Sequence, residues 1–432
     1  MLDRAGPLRG LRVVEMAGLG PAPFCAMMLA DMGAEVVRIT RPNQKPLFGL
    51  EQKNNLYDRS RRSLMLDLHD PKGLAQAEKL ISNAEVLIEG FRPDVMERLG
   101  LGPNDVTPNN PKLVYGRMTG WGQDGPLRDR AGHDLNYMAI SGALWSIGPA
   151  GSPPPPPQNI VADLAGGGMM LLAGVLAATM NARVTGKGQV VDACMSDGAA
   201  LMMTLQYGLN AGGAWDDSKR GGNFLNGGAA YYRCYETADG GYVALGPIEP
   251  QFFAILLAQI GLSNDPRFAK QYDPSVQSEM QSALEQLFAS KDRASWEAIL
   301  TQVDACFAPV LSMTEAPNHP HNIARGTFVE TDGVVQPAPV PRFVGTPSDP
   351  PTHGDAGIVT FDEVMGRWGY PHRPITPQAQ LIGRLNATLL HWRVDVIYSL
   401  LAISSSITSV APPPMDWMRA SRDMRSTGVS RI

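Results

Sequence analysis

The sequence predicts an α/β fold in which a mostly parallel sheet is covered by helices and is followed by a smaller α+β domain. Residues 11–40 have the pattern of a strand, a Gly/Pro turn, a helix and a second strand, which together make a βαβ unit. Strand and helix patterns go on alternating to about residue 118, as expected for a parallel sheet with helices on both faces. Seven glycines between residues 208 and 228 then indicate a linker between two domains.

The elements of the first domain follow from short apolar runs and the turn residues between them. Runs of four to eight residues rich in Val, Ile and Leu are typical of buried strands, and longer periodic segments are typical of helices. The strand patterns are LRVVEM, EVVRIT, SLMLDL, EVLIEGF, KLVYGRM and QVVDACM. The helix patterns are PAPFCAMMLADM, PKGLAQAEKLISNA, DVMERLGLG and the stretch 164–181.

The rest of the chain is divided by its glycines and prolines. A hairpin is predicted to turn at Asp239–Gly240, and helices are predicted around residues 251–261, 275–289 and 294–303. A Pro-rich stretch beyond these helices is expected to carry the chain back toward the first domain. The predicted parts are a large domain at 1–208, a Gly-rich linker at 209–228, a small α+β domain at 229–330, a return segment at 331–370 and a C-terminal extension at 371–432.

Composition and charge argue against several classes of function. A formal net charge of -5 over 432 residues is unlike that of a general nucleic-acid-binding protein. The four cysteines are far apart and show no CxxC spacing, so neither a disulfide framework nor a metal site is expected. The apolar run at 396–403 is shorter than the roughly 20 residues of a membrane span. The start of the chain lacks the apolar region of a secretory signal, so we expect an intracellular protein.

Arginines near the ends of predicted strands indicate a phosphorylated ligand. After the first strand, GLGPAP matches only part of a dinucleotide-binding turn, which is weak evidence. Arg38 and Arg41 end the second strand, where an NAD-binding protein would place an acidic residue. Guanidinium groups pair bidentately with phosphate, so NADP and coenzyme A are both candidate ligands. Further arginines in loops of this domain support a polyphosphate site, with a solvated surface as the alternative: Arg59, Arg61, Arg62 and Arg92.

Eight motifs, in order along roughly residues 8–330, resemble those of the class III CoA-transferase superfamily. They are LRVVEMAGLGPAPFCAMMLADMGAEVVRITRP, SLMLDLHDPKG, LIEGFRPDVMERLGLG, GWGQDGP, AGHDLNYMAISGAL, NIVADLAGGG, GKGQVVDACM and GPIEPQFF. A fainter match follows at 362–370, whereas residues 371–432 match nothing in the superfamily. Within it, the resemblance is to the racemases of 2-methyl-branched acyl-CoA thioesters. It implies an acyl-CoA substrate rather than NADP, and no separate cofactor.

The resemblance also implies an architecture and an active site. Members are interlocked dimers with a Rossmann-like large domain, and each site lies between the large domain of one subunit and the small domain of the other. The implied catalytic residues are His133 and Asp163, with the backbone amide of Asp134 and with Glu249 of the partner subunit hydrogen-bonded to the histidine. The candidate CoA-binding residues are Arg38, Arg61, Arg62, Arg92 and Gly132, and the candidates for an acyl-chain surface are Met195 and Met202.

The implied reaction is epimerisation through an enolate. It needs an acid–base group on each face of a planar intermediate and a hydrogen-bond donor at the thioester oxygen. His133 and Asp163 suit the first requirement, and the amide of Asp134, at a predicted helix start, suits the second. Each residue also has a purely structural interpretation: His133 as a helix-terminal residue, and the carboxylates of Asp163 and Asp134 as helix caps.

Two other functions stay open at this point. In the true CoA-transferases of the superfamily, the aspartate that matches Asp163 is a nucleophile and forms a covalent intermediate. Those enzymes lack the histidine that matches His133, so the residues favour the racemase. A binding protein without activity is the third class, but it would be expected to have lost these residues. We expect a cytoplasmic location, with the peroxisome or mitochondrion as alternatives, because the terminal SRI is near a signal of the SKL type.

Overall fold

The computed structural model describes residues 4–42, 49–352 and 355–369. The strands in these residues are β1 (Arg12–Met16), β2 (Glu35–Thr40), β3 (Arg61–Met65), β4 (Val86–Glu89), β5 (Val114–Thr119), β6 (Val190–Cys194), β7 (Arg233–Glu236), β8 (Tyr242–Leu245), β9 (Phe307–Pro309), β10 (Phe328–Thr331), β11 (Val334–Pro337) and β12 (Asp355–Ile358). The α-helices are α1 (Pro21–Asp31), α2 (Pro71–Ser82), α3 (Val95–Arg98), α4 (Pro103–Val106), α5 (Asp134–Ser141), α6 (Met170–Thr185), α7 (Met195–Met202), α8 (Thr204–Ala211), α9 (Pro250–Gln259), α10 (Gln277–Phe288), α11 (Arg293–Leu300), α12 (Pro320–Arg325) and α13 (Phe361–Trp368). A π-helix, Ile160–Met169, leads directly into α6.

A seven-stranded sheet in the order β12-β3-β2-β1-β4-β5-β6 forms the centre of the fold. Every neighbouring pair in it is parallel, so the predicted α/β fold with a mostly parallel sheet is confirmed. Along the chain the strands run outward from β1 to β3 and then return to β4 on the other side of β1. The loops after β1 and β4 therefore diverge, and open α/β sheets bind ligands in the crevice formed at such a point.

The strands of this sheet are buried on both faces, which is why their sequences are continuously apolar. Because successive side chains point to opposite faces, Val13 of β1 packs with α1 and α6, whereas Val14 packs with α2 and α13. Val86 and Leu87 of β4 divide in the same way. The two layers of helices cover both faces of the sheet. The loops at the strand ends stay uncovered, and functional residues often lie on such loops.

A second, antiparallel sheet has the order β7-β8-β9. Its strands β7 and β8 form the hairpin predicted at Asp239–Gly240, and Gly240 adopts a φ of 75°, in the left-handed region that glycine tolerates. Helices α9, α10 and α11 lie where helices were predicted, and they enclose a separate core with these strands. Representative buried members of that core are Tyr235, Leu256, Leu284, Phe288 and Trp296.

The chain after β11 packs back on the large sheet. The guanidinium of Arg59 donates to Asp31 Oδ2 at 2.5 and 3.1 Å, to Gln336 Oε1 at 2.9 Å and to the carbonyl of Pro337 at 2.7 Å. Strand β12 then pairs with β3 at the edge of the sheet. Residues 1–371 group as one unit, and the boundaries predicted within it stay a prediction. The predicted extension at 371–432, with its apolar run and terminal SRI, lies outside the described residues.

Among the described residues, the continuous helix Ile160–Thr185 is long and apolar enough, by length and composition, to cross a membrane. Its inner face, however, belongs to the core of the large sheet, where Leu171 and Val175 are fully buried against β5. The stretch is therefore a core helix of this fold and no clear membrane span.

Candidate active site

The candidate site lies where β1, β4 and β5 end at one edge of the large sheet. After β1, the Cα of Gly20 approaches Asp163 so closely that a Cβ there would lie 3.7 Å from its Oδ2. After β4, Arg92 acts electrostatically on the hydroxyl of Tyr137. After β5, a loop leads to His133 at the start of α5. Parallel strands bring their carboxyl ends to the same edge, so residues far apart in sequence meet here.

His133 stands immediately before α5, and its side chain is exposed. Its backbone is extended, and its own N–H donates to Oδ1 of Asn136 at 3.0 Å, while its carbonyl accepts from the N–H of Asn136 at 2.8 Å. The side chain of Asn136 thus closes the helix start, and the imidazole of His133 is left available for other work.

Two aromatic side chains, Trp121 and Tyr137, hold the backbone of the residue before His133. The rings of Trp121 and Tyr137 meet edge to face with centroids 4.7 Å apart, and the Tyr137 hydroxyl donates to the carbonyl of Gly132. A Cβ at Gly132 would lie 2.8 Å from the ring of Tyr137 and 2.9 Å from that of Trp121. Glycine is required at 132 for this packing, and the predicted contact of Gly132 with CoA stays a prediction.

Asp163 lies in the first turn of the π-helix, and the carboxylate of Asp134 holds that turn. Oδ2 of Asp134 accepts from the N–H of Ala162 at 2.7 Å and from the N–H of Asp163 at 2.8 Å. The structural interpretation of Asp163 as a helix cap is therefore wrong, because the cap is Asp134, which belongs to a different helix. π-Helical turns often occur at functional sites.

The π-helix is also held by a close backbone crossing with α7. A Cβ added to Gly198 would lie 1.8 Å from the carbonyl oxygen of Gly166, so no other residue fits at this position without movement of a helix. Met195, at the start of α7, lies against Gly167 of the same helix. These contacts with α7 fix the segment that carries Asp163, in addition to the hydrogen bonds to Asp134 of α5.

The pKa of Asp163 is raised to about 6. Burial is the main cause and the charge of Asp134 adds to it, whereas a hydrogen bond from the side chain of Asn159 and the charge of His133 oppose it. A carboxyl group with such a pKa is present in both protonation states near neutral pH. The charge of His133 reaches Asp163, so the two predicted acid–base residues lie near each other, and their shared catalytic role stays a prediction.

Comparison with known proteins identifies the family of the chain. The sequence model of CoA-transferase family III matches residues 8–356. The chain belongs to this family. The resemblance noted in the motifs is thereby confirmed.

Individual relatives include both kinds of enzyme that the motifs suggested. A human protein named alpha-methylacyl-CoA racemase is 41% identical over 370 residues, which are 85% of this chain and 95% of that protein. A protein from Acetobacter aceti named acetyl-CoA:oxalate CoA-transferase is 28% identical over 372 residues, which are 83% of this chain and 94% of that protein. A crystal structure of a CAIB/BAIF family protein from Brucella suis has the same fold, with a TM-score of 0.71 at 24% identity, and covers 84% of this chain and 99% of its own.

The family resemblance assigned Glu249 of the partner subunit to this site, and within one chain Glu249 lies in a different part of the fold. Glu249 precedes α9, and its electrostatic interactions are with Tyr272 and Cys306, beside the antiparallel sheet. No described contact joins it to His133 of the same chain. Its approach to the histidine of a partner subunit stays a prediction.

The arginines predicted to bind CoA fall into two groups. Arg61 is only 1% exposed, and its guanidinium forms ion pairs with the fully buried Glu15 and with Asp58. Arg38 is mostly buried and pairs with Asp58 and with the hydroxyl of Ser63 at 2.8 Å. Breaking a buried pair costs about 3–5 kcal/mol because it leaves a charge uncompensated. In this arrangement Arg61 and Arg38 are engaged with partners within the sheet, and the geometry does not support the predicted contact of Arg61 with CoA.

The second group is accessible. Arg92 is exposed, and Arg62 is half-buried and acts electrostatically on Glu363. Arg92 lies at the candidate site through its interaction with Tyr137, whereas no contact joins Arg62 to the described catalytic residues. Of the predicted acyl-chain residues, Met195 is half-buried and Met202 is 41% exposed on α7. Within the described part of the chain, no three His, Cys, Asp or Glu residues form a group that could hold a metal ion.

Sequence reasoning missed two residues of the site, Asn159 and Tyr57. The side chain of Asn159 opposes the rise in the pKa of both Asp163 and the Tyr57 hydroxyl, and the ring of Tyr57 packs edge to face on Phe24 with centroids 6.0 Å apart. The spacing of four residues between Asn159 and Asp163, one helical turn, is a signal that could have found the first. Tyr57 comes from a loop after β2 and has no local signal.

The raised pKa of Asp163 makes a prediction about stability. A carboxyl whose folded pKa lies above its unfolded value binds more protons in the native state, so the free energy of unfolding falls as pH rises between about 4 and 6. Because Asp163 is only half-buried, we discount this loss to about 1 kcal/mol. Asp163→Asn abolishes this titration and with it the loss of stability. Between pH 4 and pH 7 the free energy of unfolding of this variant, measured in urea, should therefore rise by about 1 kcal/mol relative to that of the unsubstituted protein.

Asp239→Asn is the control of opposite sign. Hydrogen bonds, first of all from Thr237, lower the pKa of the exposed Asp239, so its contribution to stability is present at neutral pH and is lost on acidification. If the two variants show the same sign of pH dependence, or if Asp163→Asn follows the unsubstituted protein at every pH, the raised pKa of Asp163 is refuted.

Proposed function

We propose that the protein epimerises 2-methyl-branched acyl-CoA thioesters by removing the α-proton and returning it to the opposite face of an enolate. The observation that carries this proposal is that Asp163, in the π-helix, is held beside the start of α5, where His133 stands: Oδ2 of Asp134, the residue after His133, accepts from the N–H of Asp163 at 2.8 Å. The 41% identity with a human protein named alpha-methylacyl-CoA racemase supports it. The enzyme would accordingly be an isomerase.

The residues at the site can account for the proton transfers. One of the two groups, as base, takes the proton from the α-carbon, and the electron pair of the broken C–H bond moves to the thioester oxygen to form the enolate. The other group, as acid, then gives a proton to the opposite face of the same carbon. Imidazole and carboxylate are common acid–base groups in such steps, and positioned proton transfer contributes typically about 10²–10⁴-fold to the rate.

The enolate oxygen needs a donor, and the backbone N–H of Asp134 suits this role. It is the first N–H of α5, where helices leave such groups without an internal partner. One donor of this kind is worth about 3 kcal/mol in the transition state. Arg92, exposed beside Tyr137, is the proposed contact for a CoA phosphate. The reaction uses only the thioester and these side chains, and we expect no separate cofactor.

We further propose that the active protein is a homodimer in which Glu249 of the partner subunit reaches His133. Support comes from the many exposed apolar side chains on α5, α6, α7 and α8, since such side chains are common at interaction surfaces. These side chains are Leu135, Ile140, Met180, Val184, Leu201, Leu205 and Tyr207. A carboxylate hydrogen-bonded to the imidazole would fix its tautomer and raise its basicity.

A CoA-transferase is the second candidate. The half-buried carboxylate of Asp163 could attack a thioester carbon, and the Acetobacter aceti relative is named as such a transferase. The presence of His133 at the site favours the epimerase, since a nucleophile alone does not need an acid–base partner on the opposite face. A binding protein without activity would not need an acid–base pair such as His133 and Asp163.

Deuterium incorporation separates these functions. With a single epimer of a 2-methylacyl-CoA in deuterated water and no acceptor acid, we expect the inverted epimer to appear with deuterium at the α-carbon. Because each epimerisation needs both groups, His133→Ala and Asp163→Asn should each lower the rate of inversion by at least about 100-fold. Mass spectrometry and chiral chromatography measure both products. CoA exchange that depends on an acceptor acid would instead identify a transferase, and no turnover would leave binding only.

The shared site is tested with mixed dimers. Co-expressed His133→Ala and Glu249→Ala subunits, carrying different tags, form heterodimers with one doubly defective site and one intact site if the site is shared. The purified heterodimer should then recover about half of the unsubstituted activity, whereas each parent homodimer stays inactive. Heterodimers as inactive as their parents would refute the shared arrangement.

A further inference from the structure

The side chain of Asp134 is a buried carboxylate near the site, and one of its two oxygens has no hydrogen-bond partner among the described residues. It is 4% exposed, and it turns away from α5 to the neighbouring π-helix, where Oδ2 accepts from the N–H groups of Ala162 and Asp163 at 2.7 and 2.8 Å. Its second oxygen, Oδ1, is buried and has no hydrogen-bond partner among the described residues. A buried carboxylate oxygen without a partner costs free energy, so stability alone does not account for this residue.

We propose that the carboxylate of Asp134 is a positioning residue for Asp163: its oxygen fixes the turn that carries Asp163, and its negative charge sets the protonation state of Asp163. The proposed epimerase role of Asp163 is the basis of this inference. The geometry separates the two effects, since the accepting oxygen acts on the backbone of residues 162 and 163 whereas the charge acts on the side chain of Asp163.

The other groups that face Asp163 do not duplicate this charge. His133, from α5, and Asn159, from the segment before the π-helix, both stabilise the ionised form. Burial is the main cause that raises the pKa of the nearby Tyr57 and Tyr137 hydroxyls, and the charge of Asp163 adds to it. The pKa of Tyr137 is brought to about 12, so this phenol stays neutral near pH 7. Besides burial, Asp134 is therefore the group that keeps a protonated fraction of Asp163 near neutral pH.

Both protonation states of Asp163 are needed if it removes a proton from one epimer and gives one to the other. With the charge of Asp134 removed, Asp163 would stay ionised to lower pH, and the protonated form that acts as acid would become scarce at neutral pH. In Asp134→Asn, the acidic limb of the pH profile should move to lower pH for the epimer from which Asp163 removes the proton, because its ionised form then persists to lower pH. For the other epimer, to which Asp163 gives the proton, the alkaline limb should move to lower pH. A role limited to helix capping would leave both limbs in place.

The test measures Asp163 itself and does not require turnover. Carboxyl ¹³C NMR titration of aspartate-labelled protein, with the signal assigned by its loss in Asp163→Asn, should give a pKa of about 6 in the unsubstituted protein. In Asp134→Asn, which keeps an accepting oxygen but loses the charge, we expect a pKa lower by about one unit. Asp129→Asn, which removes an exposed charge in the loop before His133, is the matched control and should leave the signal unchanged.

Amide hydrogen exchange tests the positioning. In Asp134→Ala, the N–H groups of residues 162 and 163 lose their acceptor and should exchange at least about tenfold faster, whereas in Asp134→Asn they should stay protected. If Asp134→Ala does not fold, the titration of Asp134→Asn decides alone. An unchanged pKa of Asp163 in Asp134→Asn overturns the electrostatic role. Unchanged exchange in Asp134→Ala overturns the positioning. A failure of deuterium incorporation into the substrate would refute the proposed epimerase function. The NMR titration and the amide exchange do not depend on turnover and would still test the role of Asp134.

Discussion

The hydrogen bonds from the N–H groups of Ala162 and Asp163 to the buried carboxylate of Asp134 join the two helices on which the site depends. One of these helices begins next to His133, and the other carries Asp163, so a single side chain sets the relation between the two acid–base groups. A carboxylate at a helix start binds unsatisfied N–H groups and interacts favourably with the helix dipole. In this protein the carboxylate serves a helix other than its own, and the backbone N–H of the same residue is the first of α5.

The large sheet supplies the frame for that interaction, and buried charges stiffen it beneath the site. Arg117 of β5 lies between Glu89 at 2.8 Å and Glu97 at 2.7 Å, which ties the ends of β4 and β5 together. Arg61 and Glu15 form a comparable pair between β3 and β1. Such pairs contribute little net stability compared with apolar residues, but losing one partner is costly. They therefore hold β4 to β5 and, across β2, β3 to β1 in one arrangement. The loops that follow these strands are thereby held at fixed distances from one another.

Much of the fold was predictable because its signals are local. Apolar runs such as LRVVEM and EVLIEGF show period and composition typical of buried strands, and the alternation with helices implies a parallel sheet. The roles of individual charged residues were harder to predict, because the burial of a side chain is a property of the folded chain. Arg61 and Arg92 look alike in sequence, yet one is enclosed with Glu15 and the other faces solvent. Likewise, no local pattern shows that Asp134 caps the helix of Asp163, and Tyr57 reaches Asn159 only through the tertiary fold.

In the proposed reaction His133 and Asp163 act on opposite faces of one α-carbon. The most direct measurement is exchange of the α-proton without inversion, followed in deuterated water with each pure epimer of a 2-methylacyl-CoA. A variant that keeps one base can still remove the proton on that face and return deuterium to the same face. We predict that His133→Ala labels only one epimer and Asp163→Asn only the other. If both variants exchange the same epimer, or if one variant still inverts the substrate at the unsubstituted rate, the two residues do not have the roles assigned to them.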